Sequence, residues 1–184
     1  DDTRLTNTII DTVNMQGSLT DEDFRLTLAT DTDADALNFN VSGVTTGVAG
    51  FNDVILDNHE TVNLDLDDAT VIDDLTSEDL ATLNISGDSA LTIGVLNTTP
   101  GADITIASTG TGDLTVTTNA GSGDVTLTAG NVDVVANTTA GTGDDSIIVG
   151  DGQHDIDAGS GNNVVTIGDG TDGNTSRIDT LGGN

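Results

Sequence analysis

The sequence predicts an all-β chain, a right-handed parallel β-solenoid or β-roll whose stacked coils take about 18–20 residues each. Three observations predict it. A Gly-x-Gly element returns every nine residues at Gly141/Gly143, Gly150/Gly152, Gly159/Gly161 and Gly168/Gly170, each followed by two polar, turn-favouring residues and then by an apolar position such as Ile147, Ile156 or Val165. Just before it, Asp103-Ile-Thr-Ile106, Asp113-Leu-Thr-Val116 and Asp124-Val-Thr-Leu127 repeat the phrase Asp, apolar, Thr, apolar at intervals of ten and eleven. Finally, 34% hydrophobic residues with three Phe, no Trp and no Tyr cannot fill a broad globular core, whereas a narrow stacked core of Val, Ile and Leu needs no more.

Taken in order, residues 1–100 read as irregular solenoid rungs with acidic turns, and residues 101–184 as a regular β-roll continuous with them. Strands are expected at 4–15, 24–29 and 37–41, where Phe24-x-Leu26-x-Leu28 and Leu37-x-Phe39-x-Val41 alternate apolar with polar, the period of a half-buried strand. Two more are expected at 61–66 and 81–86, and residues 77–83 could instead form one helical turn capped by Ser77. After Pro100, the only proline, the rungs shorten; their apolar pairs face inward and Thr105, Thr115 and Thr126 are expected to form one outward row. High β-propensity explains such threonines, and an ordered threonine array that binds ice is the other reading.

The glycine register fits the nonapeptide G-G-x-G-x-D-x-U-x with its first Gly replaced, and the stretch therefore resembles the RTX family of secreted bacterial proteins. The resemblance implies a calcium-binding roll in which two nonapeptides make one coil, so that Asp145 stacks beside Asn163, His154 beside Asp172, and Asp151 beside Asp169. Glycine turns bring backbone carbonyls close to a cation and a sixth-position carboxylate adds charge. Like charges stacked at a strand spacing of about 4.8 Å repel unless a cation lies between them. Several Ca²⁺ ions are thus expected among Gly141, Gly143, Asp144, Asp145, Gly150, Asp151, Gly152, Gly159, Gly161, Asn163, Gly168, Asp169, Gly170 and Asp172, with His154 and Asn163 standing where the motif has Asp. Plain Gly/Asn/Asp turns without metal are the alternative. A further acidic turn, Asp31, Asp33 and Asp35, has the spacing that opens an EF-hand loop but carries Ala36 and Ser42 where that loop needs Gly and Glu, so it is either a looser calcium site or a solvated turn. The phrases HETVNLDLDDAT and DLATLNISGDSALTI look like recurrent segments of RTX-type surface-layer proteins.

Charge narrows the function. Thirty-two acidic residues against Arg4, Arg25 and Arg177 leave −29, a self-repelling chain whose compaction divalent cations would favour. No basic patch exists for nucleic acid, and no apolar segment is long enough for membrane insertion. Cysteine is absent, so neither disulfides nor thiolate metal sites are available. The arginines are scattered in sequence, and His59 and His154 lack a second histidine, so the chain is read as non-enzymatic, His154 being a turn substitution. The first residue is Asp1 and no signal peptide is visible, which reads as processing or as a segment of something longer. Joined end to end, GGN and DDTRLT align with GTGDDSIIV, so the ends Asp1–Thr6 and Asp179–Asn184 are expected to complete one another, with the chain itself as head-to-tail partner.

The expected function is a secreted, calcium-dependent structural protein that assembles into a fibre or lattice at the bacterial cell surface, a rod about 45 Å long by strand spacing. Type I secretion is implied by the resemblance alone. The alternatives are a binding module of a large RTX adhesin, ice-binding included, and a folding or secretion module of a secreted enzyme.

Overall fold

A computed structural model describes residues 3–32, 34–45, 47–138, 141–168 and 175–180. Seventeen strands and no helix occur among them: Thr3–Thr8 (β1), Thr12–Gly17 (β2), Glu22–Leu28 (β3), Ala36–Val44 (β4), Ala49–Asp57 (β5), Thr61–Leu66 (β6), Thr70–Thr76 (β7), Thr82–Gly87 (β8), Leu91–Asn97 (β9), Ile104–Ser108 (β10), Leu114–Thr118 (β11), Val125–Ala129 (β12), Val134–Asn137 (β13), Ser146–Val149 (β14), His154–Asp157 (β15), Val164–Ile167 (β16) and Arg177–Asp179 (β17). The odd strands form one nine-stranded sheet and the even strands one eight-stranded sheet, all pairings parallel and each strand beside the next of its own parity. Two strands per coil follow, in about eight turns. Eight intervals of about 4.8 Å make a stack about 38 Å long, shorter than the sequence suggests because most coils take more of the chain than the nonapeptide spacing implies.

The longest coils lie near the start and the shortest near the end, with the first (Thr3 on Phe24) and the last (Asp155 on Arg177) of intermediate length. Phe24 pairs with Val54 in the long early coils and Phe39 with Leu64 in the next, whereas Leu127 with Ile147 and Ile147 with Val165 mark the short coils near the end. Wide coils need wide side chains. Phe24, Phe39 and Phe51, all the phenylalanines, pack edge to face at 5.4 and 5.9 Å between ring centroids inside the longest coils, while the narrow coils are filled by Val, Ile and Ala. A single buried cluster runs from Val13 to Ala158, and both sheets pass position 100 without a break, through β8 to β10 and β9 to β11.

Strand alternation explains most of this placement, and its interruptions explain the departures. The expected strand at 4–15 is two, β1 and β2, because Ile9 turns out to solvent, 93% exposed, and opens a corner. The strands β5, β7 and β9 have no counterpart among the expected ones, because each carries two successive outward residues mid-strand (Asn52-Asp53, Asp73-Asp74, Gly94-Val95) that break the two-residue period. These irregularities lie in register, Asp53 on Asp74 and Asp74 on Val95. Residues 77–80 make a hydrogen-bonded turn, Leu80 N–H to Ser77 O at 3.5 Å, and not a helical one.

Two further expectations are corrected by register. Thr105 and Thr126 do share an outward row, but Thr115 belongs to the opposite sheet beside Thr92; the row is instead Thr61, Thr82, Thr105, Thr126 and Ser146. The end-to-end alignment puts Arg4 where Ile147 sits, yet Ile147 is buried and Arg4 exposed, with Leu5 packing on the core, so the two phrases have opposite inward parity. Asp1, Asp2 and residues 181–184 lie outside the described residues.

Candidate cation-binding corners

Each coil turns twice, once from an odd strand to the next even one and once back, and the nine-residue repeat alternates between these two corners. Residues eighteen apart therefore share a corner. At the first, Asp145 donates its N–H to Asn163 Oδ1 at 2.8 Å, as the nonapeptide spacing requires. At the second, the Gly168 N–H reaches Gly150 O at 3.2 Å. The period does not carry into β17, where Asp155 pairs with Arg177 at a longer interval. Asp169, Gly170 and Asp172, and with them the expected stacking partners of Asp151 and His154, lie outside the described residues, as does Asp33.

Among the described residues the second glycines, Gly143, Gly152 and Gly161, are fixed by stacking. A Cβ on Gly143 would collide with Gly123 O of the coil beneath, and one on Gly161 with Gly143 O, so this column admits only glycine. Gly161 also has φ +131° and Gly159 φ +66°, conformations that L side chains avoid.

Above the glycines run ladders of carboxylates. At the first corner Asp103 Oδ1 accepts the Asp124 N–H at 2.9 Å, Asp124 Oδ1 accepts the Asp144 N–H at 2.7 Å, and Asp144 Oδ1 accepts the Asn162 N–H at 2.7 Å. At the second, Asp113 Oδ1 accepts the Asp133 N–H at 3.1 Å, Asp133 Oδ1 accepts the Gln153 N–H at 2.7 Å, and Asn131 Oδ1 accepts the Asp151 N–H at 3.1 Å. Asp103, Asp113 and Asp124 come from the ten- and eleven-residue phrases, Asp133 follows them, and none of the four is among the expected site residues; they extend the corners that the glycine register marks. Hydrogen bonds from Asn162 hold the Asp144 carboxyl below its ordinary range.

The sixth position of the repeat is tied into the corner by hydrogen bonds. Asp145 is 3% exposed; its Oδ1 accepts the Val125 N–H at 2.9 Å and its Oδ2 the Thr138 hydroxyl at 2.7 Å, while burial pushes its pKa up against those bonds. His154, which stands where the motif has Asp, is buried at the start of β15, with Nε2 3.0 Å from Gly150 O. Asn163 Nδ2 donates to Ala158 O at 2.7 Å and Gly159 O at 3.3 Å. In both departures from Asp, a side-chain nitrogen reaches the turn carbonyl that a cation would otherwise bridge to a carboxylate. Only Asp145 of these three retains a carboxylate for a cation.

The Asp31–Asp35 turn is tied differently. Asp35 accepts the Thr32 N–H at 2.7 Å and hydroxyl at 2.9 Å, and its own N–H donates to Glu60 at 2.6 Å, whereas Asp31 is exposed. Next to Glu60, His59 is wholly buried, neither ring nitrogen makes a well-formed hydrogen bond, and burial lowers its pKa against the pull of the nearby Asp57 backbone and of the Asp35, Glu60 and Asp57 charges. Among the described residues no three His, Asp or Glu side chains converge as a metal-binding group. What the corners offer is rows of single carboxylates beside turn carbonyls.

The arginines are less scattered than their numbering. Arg4 and Arg25 are register partners on β1 and β3, and the described ion pairs join Arg25 to Asp57 and Arg177 to Asp155 and Asp179, none of them on a corner ladder. No family model matches the chain, and neither a curated protein nor a solved structure matches it.

Proposed function

We propose that the chain is a secreted, calcium-dependent structural solenoid of a bacterial cell surface that assembles end to end with further solenoid units. The observation that carries this reading is the ladder Asp103, Asp124, Asp144, whose carboxylates recur once per coil with no arginine beside them. Divalent ions along such rows relieve a chain of net charge −29 and tie one coil to the next. Parallel sheets supply the assembly surface, since β1, β17, β2 and β16 each pair on one side only among the described residues and an open strand edge invites another. The nonapeptide resemblance adds secretion and calcium; extracellular calcium is abundant enough for weak sites.

The test compares thermal melts and size distributions in millimolar Ca²⁺ and in excess EGTA. With free ion at about 100 times Kd, each site adds about 2.7 kcal/mol, so calcium is expected to raise Tm by more than about 10 °C and to promote particles longer than the monomer. Identical β-sheet spectra, melts and sizes in the two buffers would sink the proposal. The row Thr61, Thr82, Thr105 and Thr126 favours a second reading, a binding module with an ordered hydroxyl face, ice included. A thermal-hysteresis assay distinguishes it, for an assembling unit shows none.

A further inference from the structure

The outward face of the odd sheet carries a small hollow of about 230 Å³ where β1, β3 and β5 run side by side. Arg4, Arg25, Asp23 and Asp53 line it together with Ile55. Two of the three cations of a chain with net charge −29 thus meet at one place, although they stand far apart in sequence, because Arg4 is the register partner of Arg25. Arg25 is also the register partner of Ile55, which puts an apolar side chain next to the guanidinium.

The charges in this hollow are incompletely matched. Arg25 Nη2 holds Asp57 Oδ2 at 2.7 Å, and that same oxygen takes the Thr27 hydroxyl at 2.8 Å; the Arg25 Nε is buried without a partner. Arg4 enters no ion pair among the described residues, and neither do Asp23 and Asp53, whose link is a long bond from the Asp53 N–H to Asp23 Oδ1 at 3.4 Å. Asp57 offsets Arg25, which leaves Arg4 facing Asp23 and Asp53; a simple anion is therefore disfavoured here, and the surrounding negative surface repels it further. A ligand carrying both signs gains at both ends: planar guanidiniums grip a carboxylate in bidentate fashion, and paired carboxylates accept an ammonium.

We infer that this hollow is a binding site for a small zwitterion of the α-amino-acid type, its carboxylate on the Arg4 guanidinium beside Arg25, its ammonium on Asp23 and Asp53, and a short apolar side chain against Ile55. The volume lies below that of sites for drug-sized ligands and suits a molecule of that size. The site stands apart from the corner ladders, so it holds or fails independently of calcium.

Three arginines give three Nε–H signals in a ¹H–¹⁵N spectrum, a direct readout. Titration of the calcium-loaded protein at pH 6 with L-alanine is expected to shift the Arg4 and Arg25 signals saturably while Arg177 stays in place, with acetate and methylammonium each about tenfold weaker. Arg4→Gln, an exposed change, is expected to weaken alanine at least about fivefold at unchanged circular dichroism, and Asp53→Asn likewise. Acetate binding as strongly as alanine would make this a plain anion site, and methylammonium doing so a plain cation site; either overturns the inference. So does the absence of saturation up to about 0.1 M alanine, weaker than any useful charge-assisted contact.

Discussion

Replacing Gly143 by Ala isolates the steric constraint that the repeat encodes. Gly143 does not have positive φ, so alanine brings no backbone strain of its own, and the whole effect comes from a Cβ driven into Gly123 O and to within 2.9 Å of Asp124 Oδ1. Relief requires the two coils to part by about 1 Å out of about 4.8 Å. That separation strains the bonds spanning the same corner: Thr142 N–H to Gly121 O at 2.8 Å, Asp144 N–H to Asp124 Oδ1 at 2.7 Å, and the buried Val125 N–H to Asp145 Oδ1 at 2.9 Å. Two or three bonds at about 1 kcal/mol each, within the usual cost of overpacking, give a destabilisation of about 2–3 kcal/mol. Urea unfolding followed by circular dichroism, in both calcium and EGTA, measures it. Gly130→Ala is the control, because nothing lies within 4 Å of its added Cβ and its φ is not positive; it is expected to fall within about 0.5 kcal/mol of the parent or to stabilise slightly. If Gly143→Ala and Gly130→Ala unfold at the same urea concentration, the glycine column is not held by axial stacking and the argument fails.

Phe39→Ala removes the middle ring of the Phe24, Phe39, Phe51 stack, 1% exposed, and is expected to cost about 3–5 kcal/mol, read from the same urea curves; a loss below about 1 kcal/mol would mean that the wide coils are not closed by these rings. His59 sets a pH dependence. Its folded pKa lies below the ordinary 6.5, so the unfolded chain binds the proton first, and this residue's destabilisation begins as pH falls through about 6.5 and deepens toward the folded value. His59→Leu is expected to flatten the slope of stability between pH 7 and 5 and to leave the value at pH 8 equal or higher, since it removes two buried nitrogens that make no well-formed hydrogen bond; an unchanged slope would show that Asp35, Asp57 and Glu60 keep the imidazole protonated in the folded state.

Sequence legibility follows regularity. Gly141 to Gly168 announces its own register because its coils keep nearly one length, and there the expected contact of Asp145 with Asn163 is found. Where coil length changes from one turn to the next, a fixed interval in sequence no longer marks neighbours in space. The amide row from Asn38 to Asn63 to Asn84, bonded at 2.9 and 2.8 Å, has unequal intervals and is invisible to a search for a constant repeat. Arg4 beside Arg25 is hidden likewise. The paired outward residues in β5, β7 and β9 conceal strands by breaking the two-residue period, although their alignment from coil to coil makes them a regular feature of the folded sheet. Substitution obscures the chemistry of the sixth position: His154 and Asn163 replace an acceptor with a donor, and only the folded turn reveals which carbonyl each donor reaches.

The corner ladders bear on how calcium could act without remaking the turns. Asp103, Asp124 and Asp133 each give one oxygen, Oδ1, to an N–H of the next coil. The Oδ2 atoms of these residues are left for a ligand role, while at Asp144 Oδ2 receives only the Asn162 amide at 3.2 Å. A cation lying along the row would therefore bridge second oxygens from successive coils, adding attraction where the bare chain has repulsion and leaving the first oxygens' hydrogen bonds intact. With calcium bound as proposed, the hydrogen-bonded ladder would set the positions of the carboxylates and the ion would set the sign of the force between them, so chelation would weaken the stack from coil to coil while the first oxygens' bonds hold each turn.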